Sequence, residues 1–102
     1  MIFEGELHAE NKEIIDHYGM ENQMGQLIEE CAELIHALSK LRRAKGSPLE
    51  AEWMSDVKME IVDVLVVLDQ VLGEIRLHED EIEVLAKYKI NRQQERIRHE
   101  SA

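Results

Sequence analysis

The stretch from Ile61 to Leu72 is apolar nearly all round, yet Asp63 interrupts the run Ile61-Val62-Asp63-Val64-Leu65-Val66-Val67-Leu68. A helix that is apolar on every side has to be buried on several sides. In a chain of 102 residues, which as a monomer would bury only about two thirds of its unfolded surface, that requirement points to a partner subunit. A carboxylate inside such a run is costly to desolvate unless something positive meets it.

The rest of the chain is equally helical in pattern. One proline and five glycines leave little punctuation, and only four aromatic residues leave an aliphatic core. A first helix is expected from about Glu6 to His17, with Leu7, Ile14 and Ile15 as anchors and an end near Tyr18-Gly19. A second is expected from about Asn22 to Lys45. Met24, Leu27, Ile28, Cys31, Leu34, Ile35, Leu38 and Leu41 recur there at helical spacing, Asn22 serves as N-cap and Gly46 as the stop. Ser47-Pro48-Leu49-Glu50 has the capping-box pattern with proline at the first helical position, and opens a third helix to about Arg76, interrupted near Trp53-Met54-Ser55. A fourth runs from about Glu79 to Arg98 on the sparse anchors Ile82, Leu85, Ile90 and Ile97, with His99 to Ala102 frayed. The expectation is one all-α domain over residues 1–102, a bundle of about four helices completed by homodimerisation.

Asp63 is not isolated. Glu30-x-x-Glu33 and Glu60-x-x-Asp63 are two acidic pairs at helical spacing on neighbouring helices. On a helical wheel the apolar stripe of the second helix centres near Cys31 and Leu38. Glu30 lies about a quarter turn from it beside Ala37, and Glu33 lies further out. On the third helix Asp56, Glu60, Asp63 and Val67 share one stripe. Four acids held together repel, and their pKa values rise unless a cation is bound. A four-carboxylate cage suits a hard cation such as Mg²⁺, with Mn²⁺ as an alternative.

Charge and cysteine content narrow the class. The net charge of −10 argues against nucleic-acid binding, which needs a basic footprint. The basic residues are clustered, at Lys40, Arg42, Arg43 and Lys45, and again at Lys87, Lys89, Arg92, Arg96 and Arg98. Cys31 is the single cysteine, which suits a reducing cytoplasm, and it reads as a small core residue. The N-terminal Met-Ile-Phe-Glu-Gly-Glu lacks a basic region followed by an apolar one, so no signal peptide is expected. The longest apolar run, Val64 to Leu68, is too short to span a membrane.

Glu29-Glu30-Cys31-Ala32-Glu33, followed after 26 residues by Glu60-Ile61-Val62-Asp63, resembles the EExxE…ExxD signature of the MazG-like all-α nucleoside triphosphate pyrophosphatases. That superfamily also includes dimeric dUTPases and phosphoribosyl-ATP pyrophosphohydrolases. Tyr18-Gly19 through Gln23 and Leu27 is similar to the approach to that motif. Lys89-Ile90-Asn91 with Arg96 resembles the K-x-N…R element that holds substrate phosphates, so the resemblance extends over about Tyr18 to Ile97. The second motif departs from many members in carrying Val62 where they have glycine.

The resemblance implies that Glu30, Glu33, Glu60 and Asp63 ligate Mg²⁺ or Mn²⁺, that Glu29 is an auxiliary acid for a second metal or for orienting water, and that Lys89, Asn91 and Arg96 contact phosphate. It implies hydrolysis of the α–β phosphate bond of a nucleoside triphosphate to a monophosphate and pyrophosphate, by a dimer or dimer of dimers. The chemistry suits these residues: phosphoryl transfer needs its charge neutralised and a water held in line, a metal activates water and polarises phosphate, and ammonium and guanidinium groups hold phosphate oxygens. Base recognition is poorly encoded: Tyr18 or Trp53 could stack on a base and Gln23 or Asn22 could read its edge, but each reads first as a packing or capping residue. Two other readings compete. Glu33-x-x-His36 with Glu60, doubled in a homodimer, has the spacing of a carboxylate-bridged di-metal oxidase. A non-catalytic helical partner protein would keep the apolar faces and need none of the acids.

Overall fold

A computed structural model describes residues 2–101. These form four α-helices: α1 (Gly5–Tyr18), α2 (Met20–Ala44), α3 (Glu50–Glu74) and α4 (Glu79–Ser101). The first three pack together, chiefly through α2 and α3. α4 packs against none of the other helices and has no fully buried residue. Its helix continues to Ser101 rather than fraying after Arg98; Ala102 lies outside the described residues.

The α2–α3 seam explains where the acids go. Gln23, Ala37 and Ala44 are the buried residues of α2, and with the half-buried Glu30 they fall seven residues apart in one line. Opposite them run Trp53, Val57, Glu60, Val64, Val67 and Val71 at alternating steps of three and four. The packed face of α2 is therefore centred on Glu30 and Ala37, a quarter turn from the stripe centre at Cys31 and Leu38 read from the sequence. Cys31 is only half-buried. Met24, Ile28, Ile35 and Leu38 stand exposed, Ile28 at 71%. The sequence stripe spans two faces, one occupied by α3 and one uncovered.

Several termini differ from expectation for local reasons. α1 and α2 are joined by one residue: the Gly19 N–H donates to the Ile15 carbonyl, and the Gly19 carbonyl accepts from Gln23 N–H. Its φ of 88° is open to glycine but strained for other residues. Asn22 is thus inside α2, not its N-cap, and its Nδ2 donates to the Tyr18 carbonyl at 3.1 Å. Ser47 and Glu50 do not form a reciprocal box. Ser47 Oγ accepts from Leu49 N–H at 3.2 Å, and Glu50 Oε1 accepts from Gly46 N–H at 2.6 Å. Pro48 lies in this turn, two residues ahead of the helix, and α3 runs unbroken through Trp53-Met54-Ser55. Gly46 ends the α2 turn at φ 80°, as expected. α3 closes with Leu77 N–H on the Leu72 carbonyl and Arg76 in the left-handed region at φ 58°.

A buried polar network ties α1 to α3. Asp69, 1% exposed, accepts at Oδ1 from the backbone N–H groups of Ile2 (2.9 Å) and Phe3 (3.2 Å). Its Oδ2 meets Asn11 Nδ2 (3.0 Å) and His8 Nδ1 (3.2 Å). Burial alone pushes the Asp69 carboxyl up, but the hydrogen bonds from Asn11, Phe3, His8 and Ile2 outweigh it and hold the group below its ordinary value.

No helix among the described residues is long and apolar enough to cross a membrane. The chain exposes 8027 Å². A compact monomer of its 11.9 kDa mass exposes about 6,000 Å². The Cα radius of gyration is 17.1 Å, where a compact chain of this length has about 13 Å. The excess comes from α4 extended away from α1–α3, with Val84, Leu85, Tyr88, Ile90 and Ile97 exposed.

Candidate metal centre

Glu30 and Glu60 sit where the seam would otherwise take aliphatic side chains, so their carboxylates face each other across two helices. Glu30, Glu60 and Asp63 each bring one oxygen into a group lying within 4.8 Å of one another. Glu30 and Glu60 are half-buried. Asp63 is exposed, a correction to the expectation that the apolar run it interrupts is buried on several sides, because α3 turns Ile61, Val62 and Asp63 outward.

Glu33 is exposed and outside that group, further out than Glu30 as the helical wheel has it, but its charge reaches both half-buried acids. Glu30 is raised by burial first, then by the charges of Glu33, Asp63 and Glu60, and by a hydrogen bond with Glu33. Glu60 is raised by burial, then by Glu33 and Asp63, by a hydrogen bond with Glu33, and by Asp56. Two carboxyl groups hydrogen-bond only while one keeps its proton, so that contact favours the neutral form. Glu29 stays exposed, beside the cluster rather than in it.

Two oxygens give a direct test of whether a cation fits. Glu30 Oε2 and Glu60 Oε2 are buried and have no hydrogen-bond partner. Buried carboxylate oxygens left bare carry the full cost of desolvation. Mg²⁺ binds carboxylate oxygens at about 2.1 Å in an octahedron, which sets ligand oxygens up to about 4.2 Å apart. Only one pair of three such ligands lies that far apart and the other pairs lie about 3.0 Å apart, so the three side chains have to draw together around an ion; the donor set, all carboxylate oxygen, suits a hard divalent cation. His36 is not among these ligands; its ring meets Trp53 edge-on at 6.1 Å, so the Glu33-x-x-His36 arrangement of an oxidase is not assembled within the chain.

A groove opens on each side of the cluster. The larger, about 700 Å³, is walled by α1, α2 and α3 and includes Tyr18, Gln23, Gln26, Glu29, Glu30 and Gln70. The smaller, about 430 Å³, includes Glu33, His36, Trp53, Asp56 and Glu60. The basic residues are not brought to either. Lys89, Arg92, Gln93 and Arg96 form a stripe along α4, which stands apart from α2 and α3. Asn91 lies on the same helix outside that stripe, so within one chain Lys89, Asn91 and Arg96 are separate from the acids.

Sequence reasoning missed Asn11, Asp69 and Gln70. The available signal was the second acid in the apolar stretch, Asp69, followed by an amide.

The raised carboxyls have a consequence for stability. A carboxyl whose folded pKa lies above its unfolded value binds more protons folded than unfolded, so its ionisation opposes folding. That cost is absent below the ordinary value of 4.5 and grows as pH rises through the raised values of Glu30 and Glu60. The metal-free protein is therefore expected to lose thermal stability across that window, and Mg²⁺ to restore it. Melting curves against pH, with EDTA and with Mg²⁺, check this; the slope should be smaller in Glu60→Gln. Identical curves in both conditions would count against a cation site.

Comparison of the chain with protein-family models, with curated proteins and with solved structures finds no match to any of them.

Proposed function

We propose that the protein is a Mg²⁺-dependent nucleoside triphosphate pyrophosphohydrolase of the MazG-like all-α type, releasing pyrophosphate and a nucleoside monophosphate. The observation that carries this reading is the pair of buried, unpartnered oxygens of Glu30 and Glu60, grouped with Asp63, where Glu30 also lines a groove large enough for a nucleotide. Glu30, Glu60 and Asp63 hold the cation, with Glu33 closing the set as the side chains draw together. A bound divalent ion there supplies charge neutralisation for the phosphates and a more acidic water. Glu29, at the groove wall beside Glu30, would accept a hydrogen bond from a water there and orient it. Tyr18, which lines the same groove, would offer a ring face to the base.

The phosphates need cations as well as acids, and one chain keeps its own apart from the acids. In a homodimer, α4 of one subunit covers the exposed apolar faces of the other and brings Lys89, Asn91 and Arg96 to its partner's acids. The surface excess of roughly 2,000 Å² over a compact monomer and the unpaired apolar side of α4 support that arrangement. A dimer of dimers would use the same elements. The absence of a basic surface around the groove agrees with a small nucleotide rather than a nucleic acid as ligand, and a cytoplasmic setting suits both the lone thiol and the substrate.

The test is a panel of ribo- and deoxyribonucleoside triphosphates, with phosphoribosyl-ATP, incubated with the protein and Mg²⁺ while pyrophosphate is measured. Release with at least one substrate, abolished by EDTA and restored by Mg²⁺ or Mn²⁺, is expected. Silence across the panel would leave the helical partner-protein reading in its place.

A further inference from the structure

The hydrogen bonds that begin at Asp69 do not end at Asn11. Asn11 Nδ2 donates both to Asp69 Oδ2 and to the Val66 carbonyl at 2.9 Å. An ionised carboxylate and a backbone carbonyl only accept, so the orientation of the Asn11 amide is fixed twice over. Its Oδ1 must then face a donor, and Gln70 Nε2 meets it at 2.7 Å. Gln70 consequently turns Oε1 toward Gln23, whose Nε2 donates to it at 2.7 Å. Gln23 and Gln70 are 5% and 4% exposed, so neither amide reorients freely. Each amide in the relay is set by the one before it, and the chain of polarity ends with Gln23 Oε1, an acceptor at the wall of the larger groove. Asn22, in the same wall, has its Nδ2 engaged by the Tyr18 carbonyl and likewise keeps its oxygen uncommitted. The groove's remaining charged members, Glu29 and Glu30, are acceptors too when ionised.

We infer that this groove selects nucleotides whose base carries an exocyclic amino group where its counterpart carries a keto group, as in cytosine and adenine, with Gln23 as the specificity-determining residue. The amino group donates to Gln23 Oε1. A keto group at the same position sets oxygen against oxygen, and the buried amide cannot turn to relieve it without breaking the relay back to Asp69. The inference rests on the nucleotide reading of the site.

Equilibrium binding of matched monophosphates in the presence of Mg²⁺ tests it on the unmodified chain: dCMP against dUMP, and AMP against IMP, each pair differing between amino and keto at one ring carbon. The amino member is expected to bind at least about tenfold more tightly, and Gln23→Met to reduce that ratio toward one. Equal or tighter binding of the keto members, a ratio unchanged in Gln23→Met, or no binding of any of the four overturns the inference. If Gln23→Met does not fold, the unmodified pairs still decide. Pyrophosphate release with a keto preference would sink the inference and keep the proposed activity; amino-selective binding with no release from any triphosphate would do the reverse.

Discussion

Asp63→Asn and Glu60→Gln are each expected to lower pyrophosphate release by at least about a hundredfold, since replacing a direct ligand costs no less than disturbing the groups behind one. The fold should survive. Asp63 is exposed, and Glu60 is raised by burial and by the charges of Glu33 and Asp63, so a neutral amide at either position relieves repulsion. Without Mg²⁺ the Glu60→Gln protein should melt at or above the temperature of the unmodified one; with Mg²⁺ the order should reverse, because only the unmodified site gains from the ion. Melting curves with and without Mg²⁺ beside the activity assay read all of this. A collapse of either variant would mean that the carboxylates hold the helices together. The dimeric arrangement adds a sharper readout. Asp63→Asn and Arg96→Ala chains, each inactive alone, should regain part of the activity when refolded together, because one of the two sites in a mixed dimer receives both intact partners. No recovery would place the basic stripe outside the site.

Asp69→Ala is expected to be the most damaging single change to stability. Two backbone N–H groups, Asn11 Nδ2 and His8 lose their common acceptor in a position 1% exposed. Breaking a buried, hydrogen-bonded charge in this way costs about 3 kcal/mol or more, a fall in melting temperature of roughly 15 °C in a domain of this size. Asp69→Asn keeps one oxygen but sets an NH₂ among donors, and should lie between the two. Because the folded pKa of Asp69 is depressed, its contribution is complete above the ordinary value of 3.8 and is lost as pH falls through the lower folded value. The acid limb of unfolding should therefore be blunted in Asp69→Ala. A variant as stable as the unmodified chain would show that the network contributes little.

Helix number and placement were legible because the apolar period is regular and the breaks at Gly19, Gly46 and the Arg76–His78 turn are local. The direction of packing was not. A wheel averages over every apolar residue on a helix, and α2 spends its apolar residues on two faces; the average points between them, which is why the wheel set Glu30 a quarter turn from a centre that it shares with Ala37. Asp69 and Gln70 were passed over because within an apolar run a polar residue gives no sign of its partner, and Asn11 lies 58 positions away from Asp69. The anchors of α4 carry the right period but not the identity of what they anchor to: Leu85, Ile90 and Ile97 pack on no other helix of the same chain. The capping signals of Asn22 and of Ser47 to Glu50 failed for different reasons. The Gly19 junction starts α2 at Met20, ahead of Asn22, whereas the backbone N–H groups of Leu49 and Gly46 take the side chains of Ser47 and Glu50.

The line of Gln23, Glu30, Ala37 and Ala44 divides one helix pair into two jobs. At the alanine end, small side chains let the backbones approach and the contact depends on nothing but shape. At the other, an amide and a carboxylate occupy the same kind of position; Gln23 holds α3 by one buried hydrogen bond to Gln70, and Glu30 leaves an oxygen bare. Anchorage and working surface thus lie end to end along a single interface instead of residing in separate elements. Substitutions that tighten the alanine end are free to accumulate without touching the ligand, and the polar end is free to exchange its chemistry without dissolving the pair, so the architecture can change what it binds faster than it changes how it stands.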